Sequence, residues 1–437
     1  MTRAGLDRRT VLKTLAGGAL LVGCGGATRV PDRQQRAPGE PGPSEAAMHS
    51  MHERMAGYVE RGEVPGLVTL VARRGDVQVD VLGSKAAGGS ERLQRDSIFR
   101  ISSMTKPITA AAAMILVDDG KLRVDEPVDR LLPELANRRV LRRPDGPLDE
   151  TVPAQRAITV RDLLTFTMGM GIVFAPPGSH PIQTAMDELA LGQGMPSPQA
   201  TPAPDERIRR LGTLPLIHQP GERWMYNTGS DVLAVLIARA SGQTFEAFLG
   251  ERIFAPLGMK DTSFSVPPSK LHRLVTSYLT DADKGTLSVY DRPDGQWSRP
   301  PAFPSGSAGL VATADDFLAF GQMLLDQGQH GATRVLSPGS VAAMTRDQLS
   351  AGQKAASEMF GLFEQHGWGF GMSVVTGRDV AGAVGAVGWD GGLGTSWRTD
   401  PARQAVTILL TQAAWTSPVP PPVCHDFWTS AGEALAR

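Results

Sequence analysis

The sequence predicts an α/β protein of the α+β type: one antiparallel sheet built from both ends of the folded chain, flanked by helices from both termini, with an all-helical lobe inserted between them. Three observations predict it. Apolar, β-rich runs stand near residues 67–82, others stand between residues 368 and 411, and the middle of the chain carries helical periodicity. Strands at both ends and helices between them are satisfied by a single sheet that closes from the two termini. A chain of 437 residues, 41% of them hydrophobic, can bury the large core that such a fold needs.

The elements follow in order. Met48, Met51, Met55, Tyr58 and Val59 form a helical stripe, so residues 45–61 are an amphipathic helix. Residues 67–72 and 77–82 are strands split by Arg73-Arg74-Gly75-Asp76, a hairpin signal. Residues 108–117 are apolar on every face except Thr109, the pattern of a helix inside a protein. Residues 158–168 and 231–240 read as helices. Between them, residues 171–215 hold eight prolines and little periodicity, which reads as a loop-rich insertion or cap. Residues 314–327 are helical. Residues 368–375, 394–398 and 406–411 are strands, and the chain returns to helix from Phe427. No repeat or second linker appears, so residues 46–437 are expected to form one domain, with the helical lobe and cap over about residues 110–300.

Lys plus Arg number 44 and Asp plus Glu 45, which argues against a nucleic-acid partner. Two cysteines exclude a disulfide scaffold. No stretch reaches the ~18–20 apolar residues of a membrane span. Residues 1–23 read as an export signal, with charge before a short apolar run. Arg8-Arg9 resembles a twin-arginine signal, although Asp7 and Val11 stand where that signal favours Ser or Thr and Phe. Leu21-Val22-Gly23-Cys24 resembles a bacterial lipoprotein box, which makes Cys24 the expected lipid anchor. Residues 24–45, rich in proline and glycine, read as a flexible tether. These segments predict an exported protein, periplasmic or held by lipid on the outer face of the cytoplasmic membrane, with no other membrane contact. Residues 1–23 carry Arg3, Arg8, Arg9 and Lys13 against Asp7; without them the net charge falls from −1 to −4.

The chemistry concentrates in Phe99-Arg100-Ile101-Ser102-Ser103-Met104-Thr105-Lys106-Pro107. Ser103 and Lys106, three apart at a helix start, share one face. Orphan N–H groups and the helix dipole there favour negative charge developing at Ser103. A lysine buried one turn away loses its proton more easily and can act as a base. Alone, this spacing also fits an N-capping serine and a surface lysine.

In context, Ser103-Met104-Thr105-Lys106 resembles the penicillin-recognising serine hydrolases, closest to the class C β-lactamase-like group with its family VIII esterases and DD-peptidase relatives. Other segments agree and occur in the family's order: residues 119–128, 158–165, 220–224 and 253–259. The resemblance covers residues 46–437 and implies a β-lactamase/DD-peptidase-like fold. It implies a second motif at Tyr226-Asn227-Thr228, where Tyr226 is a second candidate base beside Lys106. Thr228 replaces the family's Asn, and Asn227 stands one place early. It implies a third motif at Trp389-Asp390-Gly391, followed by Gly392, on the sheet edge beside the serine. Trp-x-Gly there resembles the esterase branch, and the N–H groups of Ser103 and Gly392 would form the oxyanion hole. Phe166 stands where many relatives carry His.

The departures carry chemistry. β-Lactams and peptidoglycan stems present a carboxylate, whereas an indole and the acid Asp390 occupy the slot that usually offers a cation or hydroxyls. Arg398 is a possible substitute. The resemblance therefore implies a serine hydrolase of small esters or lactones working through an acyl-enzyme, without a metal or organic cofactor, as a monomer. A β-lactamase or D-alanyl-D-alanine carboxypeptidase is the alternative; a non-catalytic penicillin-binding or scaffold protein is the second. No Gly-x-Ser-x-Gly elbow, P-loop, dinucleotide fingerprint or His-Glu-x-x-His occurs. His49 and His52 lack a nearby third metal ligand, and His180 and His218 flank the cap.

Overall fold

Strands from the two ends of the chain meet in one sheet, in the computed structural model that describes residues 42–192, 194–357 and 361–436. The export signal, Cys24 and nearly all of the tether lie outside the described residues. The sheet comprises β1 (Gly66–Arg73), β2 (Asp76–Gly83), β3 (His366–Trp368), β4 (Ser373–Val375), β5 (Val387–Gly391), β6 (Thr395–Asp400) and β7 (Ala405–Thr411), in the order β3-β4-β5-β6-β7-β1-β2. Every pairing is antiparallel. The junction between the termini is the β1–β7 ladder, which runs from Leu67 opposite Thr411 to Arg73 opposite Ala405. The predicted closure of one sheet from both ends is what forms.

Every residue of β1 and β7 is buried. Both faces of these strands are covered, which explains their nearly continuous apolar sequences. The helices that close the core and position the site are α1 (Glu45–Glu60), α2 (Thr105–Asp118), α3 (Val160–Leu164), α4 (Pro181–Glu188), α5 (Pro204–Thr213), α6 (Thr228–Ser241), α7 (Ala314–Leu325) and α8 (Pro422–Ala434). Leu67, Val71 and Leu409 face α1 and α8, packing with Met51, Met55, Phe427 and Trp428. Val68, Leu70, Trp397 and Ile408 face the main core. There Trp397 meets Phe317 and Phe320 of α7 at 5.3 and 5.8 Å between ring centroids.

Helix α2 is buried continuously from Thr105 to Leu116. Even Thr109 is inside, where its hydroxyl donates to Gly306 O at 2.7 Å and lies 3.2 Å from Thr105 O. Among the described residues no single helix is long and apolar enough to cross a membrane.

Several boundaries differ from the sequence reading, each for a local reason. The helix expected over 158–168 is only Val160–Leu164: a Thr159–Asp162 capping box starts it, and Phe166 at φ +60° ends it. The cap contains α4 and α5, because Pro181 and Pro204 begin helices, at the one helical position that tolerates proline well. Residues 368–375 are two strands joined by a turn, with Gly371 at φ +72° where a Cβ would stand 2.8 Å from Lys106 O.

Candidate active site

Ser103 lies in a single 3₁₀ turn, Ser102–Met104, that runs directly into α2. Phe99 and Arg100 lead into it, paired with Val311 and Ala312. The Arg100 guanidinium, 1% exposed, is bound by Asp291 and by Val275 O, which fixes the strand that delivers the serine. Ser102 has φ +45°, a left-handed conformation uncommon for any residue but glycine. Strain therefore sits immediately before Ser103, held by the buried elements on either side.

Lys106 is completely buried. Its Nζ lies 2.8 Å from Ser103 Oγ, donates to Ser307 O at 2.7 Å, and stands 4.5 Å above the centre of the Tyr226 ring. Burial pulls its pKa down to about 7, against a smaller upward pull from the Asp231 carboxylate. A large fraction of Lys106 is thus uncharged near neutrality, with a lone pair available to the Ser103 hydroxyl proton. Burial pushes the Tyr226 phenol above its ordinary value, while hydrogen bonds with Ser103 and Trp389 act the other way. The resting tyrosine is a phenol.

Tyr226 is gripped by aromatic rings. Trp224 stacks on it at 5.5 Å and 23°, Phe166 meets it edge-on at 5.9 Å, and Trp389 Nε1 donates to Tyr226 Oη at 2.8 Å. Trp368 completes the enclosure, 4.7 Å from Trp389. Asn227 follows with φ +86° and ψ −62°, closed by a Thr228 N to Tyr226 O bond of 3.3 Å. This is the rare, strained form of γ-turn. It presents Asn227 to the cavity. Thr228 is turned inward as the first residue of α6, and its buried hydroxyl has no hydrogen-bond partner among the described residues. Of these two polar residues, Asn227 lines the cavity over Ser103 and Thr228 does not.

Trp389-Asp390-Gly391 is a strand, β5, although it lies within a glycine-rich run that also fits a plain hairpin turn. It is interior in strand order, yet β4 covers only Val387 and Gly388. The half carrying the motif is an open edge that reaches the serine turn. A Cβ on Gly391 would lie 2.3 Å from Ile101 O, so only glycine permits this approach. Gly392 has open space around it and lines the same cavity as Ser103. Asp390 points to the opposite face and forms a two-pronged ion pair with Arg398 at 2.7 and 2.9 Å. The Arg398 guanidinium also stands 4.7 Å over the Trp428 ring. This corrects the sequence reading: neither Asp390 nor Arg398 lines the cavity over Ser103.

The cavity over Ser103 has a volume of about 330 Å³. Its wall includes Phe303, Met195 and the cap loop at 194–201. The charged side chains on it are Asp187 at the rim and the paired Arg207 and Asp231. His218 lies behind Tyr226, where burial and Arg223 lower its pKa to about 4. His49 and His52 pair with Glu53 and Asp80 at the surface. Ser307, Arg207 and Asp231 were not singled out by sequence reasoning. The small-residue run Ser305-Gly306-Ser307-Ala308-Gly309 was the available signal for the first.

The fold and the site define an enzyme of the serine-hydrolase class. The family model described as Beta-lactamase matches residues 51–419, and the chain belongs to that family. An uncharacterized protein of Mycobacterium tuberculosis is 40% identical over 386 residues, covering 86% of this chain and 90% of its own. Esterase EstB of Burkholderia gladioli is 31% identical over 378 residues, covering 80% and 86%. Among solved structures, EstCE1, a hydrolase with promiscuous acyltransferase activity, superposes with a TM-score of 0.72 at 23% identity, covering 90% of this chain and 98% of its own; at that identity the likeness is one of fold.

Proposed function

We propose that this enzyme hydrolyses small neutral carboxylic esters or lactones through a Ser103 acyl-enzyme. The observation that carries the reading is Ser103 Oγ held 2.8 Å from the Nζ of a completely buried lysine, whose burial lowers its pKa to about 7. Ser103 Oγ attacks the ester carbonyl while its proton passes to Lys106 Nζ. The oxyanion is received by the N–H groups of Ser103 and Gly392. As the tetrahedral intermediate collapses, the C–O bond to the alcohol breaks and Tyr226 gives its phenolic proton to the leaving alkoxide. Lys106 returns the serine's proton to Tyr226. Water then attacks the acyl-enzyme by the reverse proton path, releasing the acid and restoring the Ser103 hydroxyl.

The paired state of Arg207 and Arg398 favours a neutral substrate over a β-lactam or a peptidoglycan stem, whose carboxylate needs a free cation. Asn227 supplies a polar contact to the bound ester. Ser103→Ala is expected to lower p-nitrophenyl butyrate hydrolysis by ~10³-fold or more. Retained activity overturns the assignment, and rapid nitrocefin turnover without esterase activity returns the β-lactamase reading. Acyl transfer is a second reading, since an alcohol in this apolar-walled cavity can replace water; EstCE1 carries that activity. Export and lipid anchoring through Cys24 belong to the same proposal. Cys24→Ser is expected to release the protein from membranes, and unchanged membrane association refutes the anchor.

A further inference from the structure

Asp231 stands in the first turn of α6, five residues after Tyr226, with its side chain 7% exposed. Its Oδ1 accepts the Ser305 hydroxyl at 2.7 Å and the Ser307 N–H at 3.1 Å. Ser305 Oγ in turn accepts the N–H groups of Ser307 and Ala308, both at 3.2 Å. The 305–308 turn is therefore tied at several points to one carboxylate. Ser307 O, on that turn, accepts the Lys106 amine at 2.7 Å. A Cβ on Gly306 would lie 2.4 Å from Ser230 O, so the turn is also pressed against the start of α6. On the far side, Asp231 Oδ2 accepts Arg207 at 2.9 Å, and the guanidinium lies 5.0 Å over the Phe303 ring. Arg207 comes from α5, in the cap.

We propose that Asp231 is the positioning residue of the base: its carboxylate clamps the 305–308 turn so that Ser307 O holds the Lys106 amine on Ser103, and Arg207 from the cap neutralises and completes the clamp. The inference rests on the proposed Ser103–Lys106 chemistry and adds to it. The cap then does more than shape the cavity, because it sets the charge balance felt by the base. Asp231 is the charged group acting on Lys106 from α6, and Tyr226, in the turn before that helix, is the titratable group against it. The 305–308 turn and β5 bring Ser307 and Trp389, which are uncharged. Asp390 and Arg398 lie on the other face of the sheet.

The two members of this ion pair should shift the base in opposite directions. Removing the Asp231 charge makes protonated Lys106 less favourable and moves the acidic limb of activity to lower pH. Removing the Arg207 charge leaves Asp231 uncompensated and moves that limb to higher pH. Damage to the fold alone produces no such opposition.

The test is the rate at which a fluorophosphonate labels Ser103 as a function of pH, in the full-length protein. In that step the Oγ–P bond forms, P–F breaks, fluoride leaves and the serine proton goes to Lys106. For Asp231→Asn we expect a plateau rate lower by up to ~100-fold and an acidic limb moved down by about half a pH unit or more. For Arg207→Gln the limb moves up. For Ser305→Ala, which keeps both charges, the plateau falls and the limb stays. Limbs that do not move, or that move together, overturn the proposal. Should Asp231→Asn fail to fold, an unmoved limb in Arg207→Gln or a full rate in Ser305→Ala overturns it. No labelling of the wild-type enzyme is a different result, which removes the Ser103 reading itself.

Discussion

The two faces of β5 carry consecutive residues to opposite fates. Trp389 turns toward the helical lobe, where its indole N–H reaches Tyr226 at 2.8 Å. Asp390 turns toward α8 and is consumed by Arg398. The sheet thus separates two buried acid–arginine pairs of the same chemistry. Asp231–Arg207, on the cavity side, has hydrogen bonds that lead through one turn to the base. Asp390–Arg398 has bonds that end in the sheet and against Trp428. The pair whose hydrogen bonds lead to the base is the one placed to govern the reaction, whereas across the sheet the Asp390 carboxylate adds only the smallest of the pulls on the Tyr226 phenol, an upward one. Adjacency to a motif in sequence says little, because the strand period of two sends neighbours to different layers.

The sharpest way to break this contrast is at its catalytic side. Tyr226→Phe keeps the ring that Trp224 and Phe166 hold and removes only the hydroxyl. Ester turnover is expected to fall by ~10²–10⁴-fold with thermal stability nearly unchanged. If more than a tenth of the wild-type rate survives, the leaving-group proton travels another way. Trp389→Phe is the next smaller step. It removes the N–H donated to Tyr226 and leaves an aromatic ring in place. A hydrogen bond to a developing phenolate is worth roughly 1.5–3 kcal/mol, so kcat should fall by about tenfold or more with KM little moved. An unchanged kcat shows that the indole merely fills space.

How far the sequence reached follows the same geometry. Local periodicity carried α1, the first hairpin, α2 and the terminal strands, because one buried face leaves its period in the chain. Ser103 and Lys106 were legible because helix geometry alone brings them together, and the family motifs supplied Tyr226 and Gly392. Pro181 and Pro204 misled, since proline count suggests loop while proline position starts a helix. The misassignment of Asp390 and Arg398 came from reading a motif as a point rather than as a strand with two faces. Asp231, Ser307 and Arg207 converge from three separate stretches of chain, and no local spacing marks that convergence.

The smallest effect on activity is expected behind the sheet, at Asp390→Asn. The Arg398 guanidinium would keep its bond to Trp397 O at 2.8 Å and its place over Trp428, but lose the carboxylate that balances its charge. Both side chains are buried, at 10% and 5% exposure, so solvent offers little compensation. Replacing the charged acceptor with an amide of the same shape should therefore lower stability by about 1.5–3 kcal/mol. The rate per active site, counted by fluorophosphonate titration of a separate aliquot, should stay within about twofold of wild type, because no hydrogen bond of this pair leads to the cavity. Denaturant unfolding and active-site titration measure the two quantities separately. A larger drop in rate per titrated active site, with Trp389 still donating to Tyr226, would mean that the small pull of Asp390 on the Tyr226 phenol across β5 governs the reaction. The two faces would then have to be treated as one electrostatic unit.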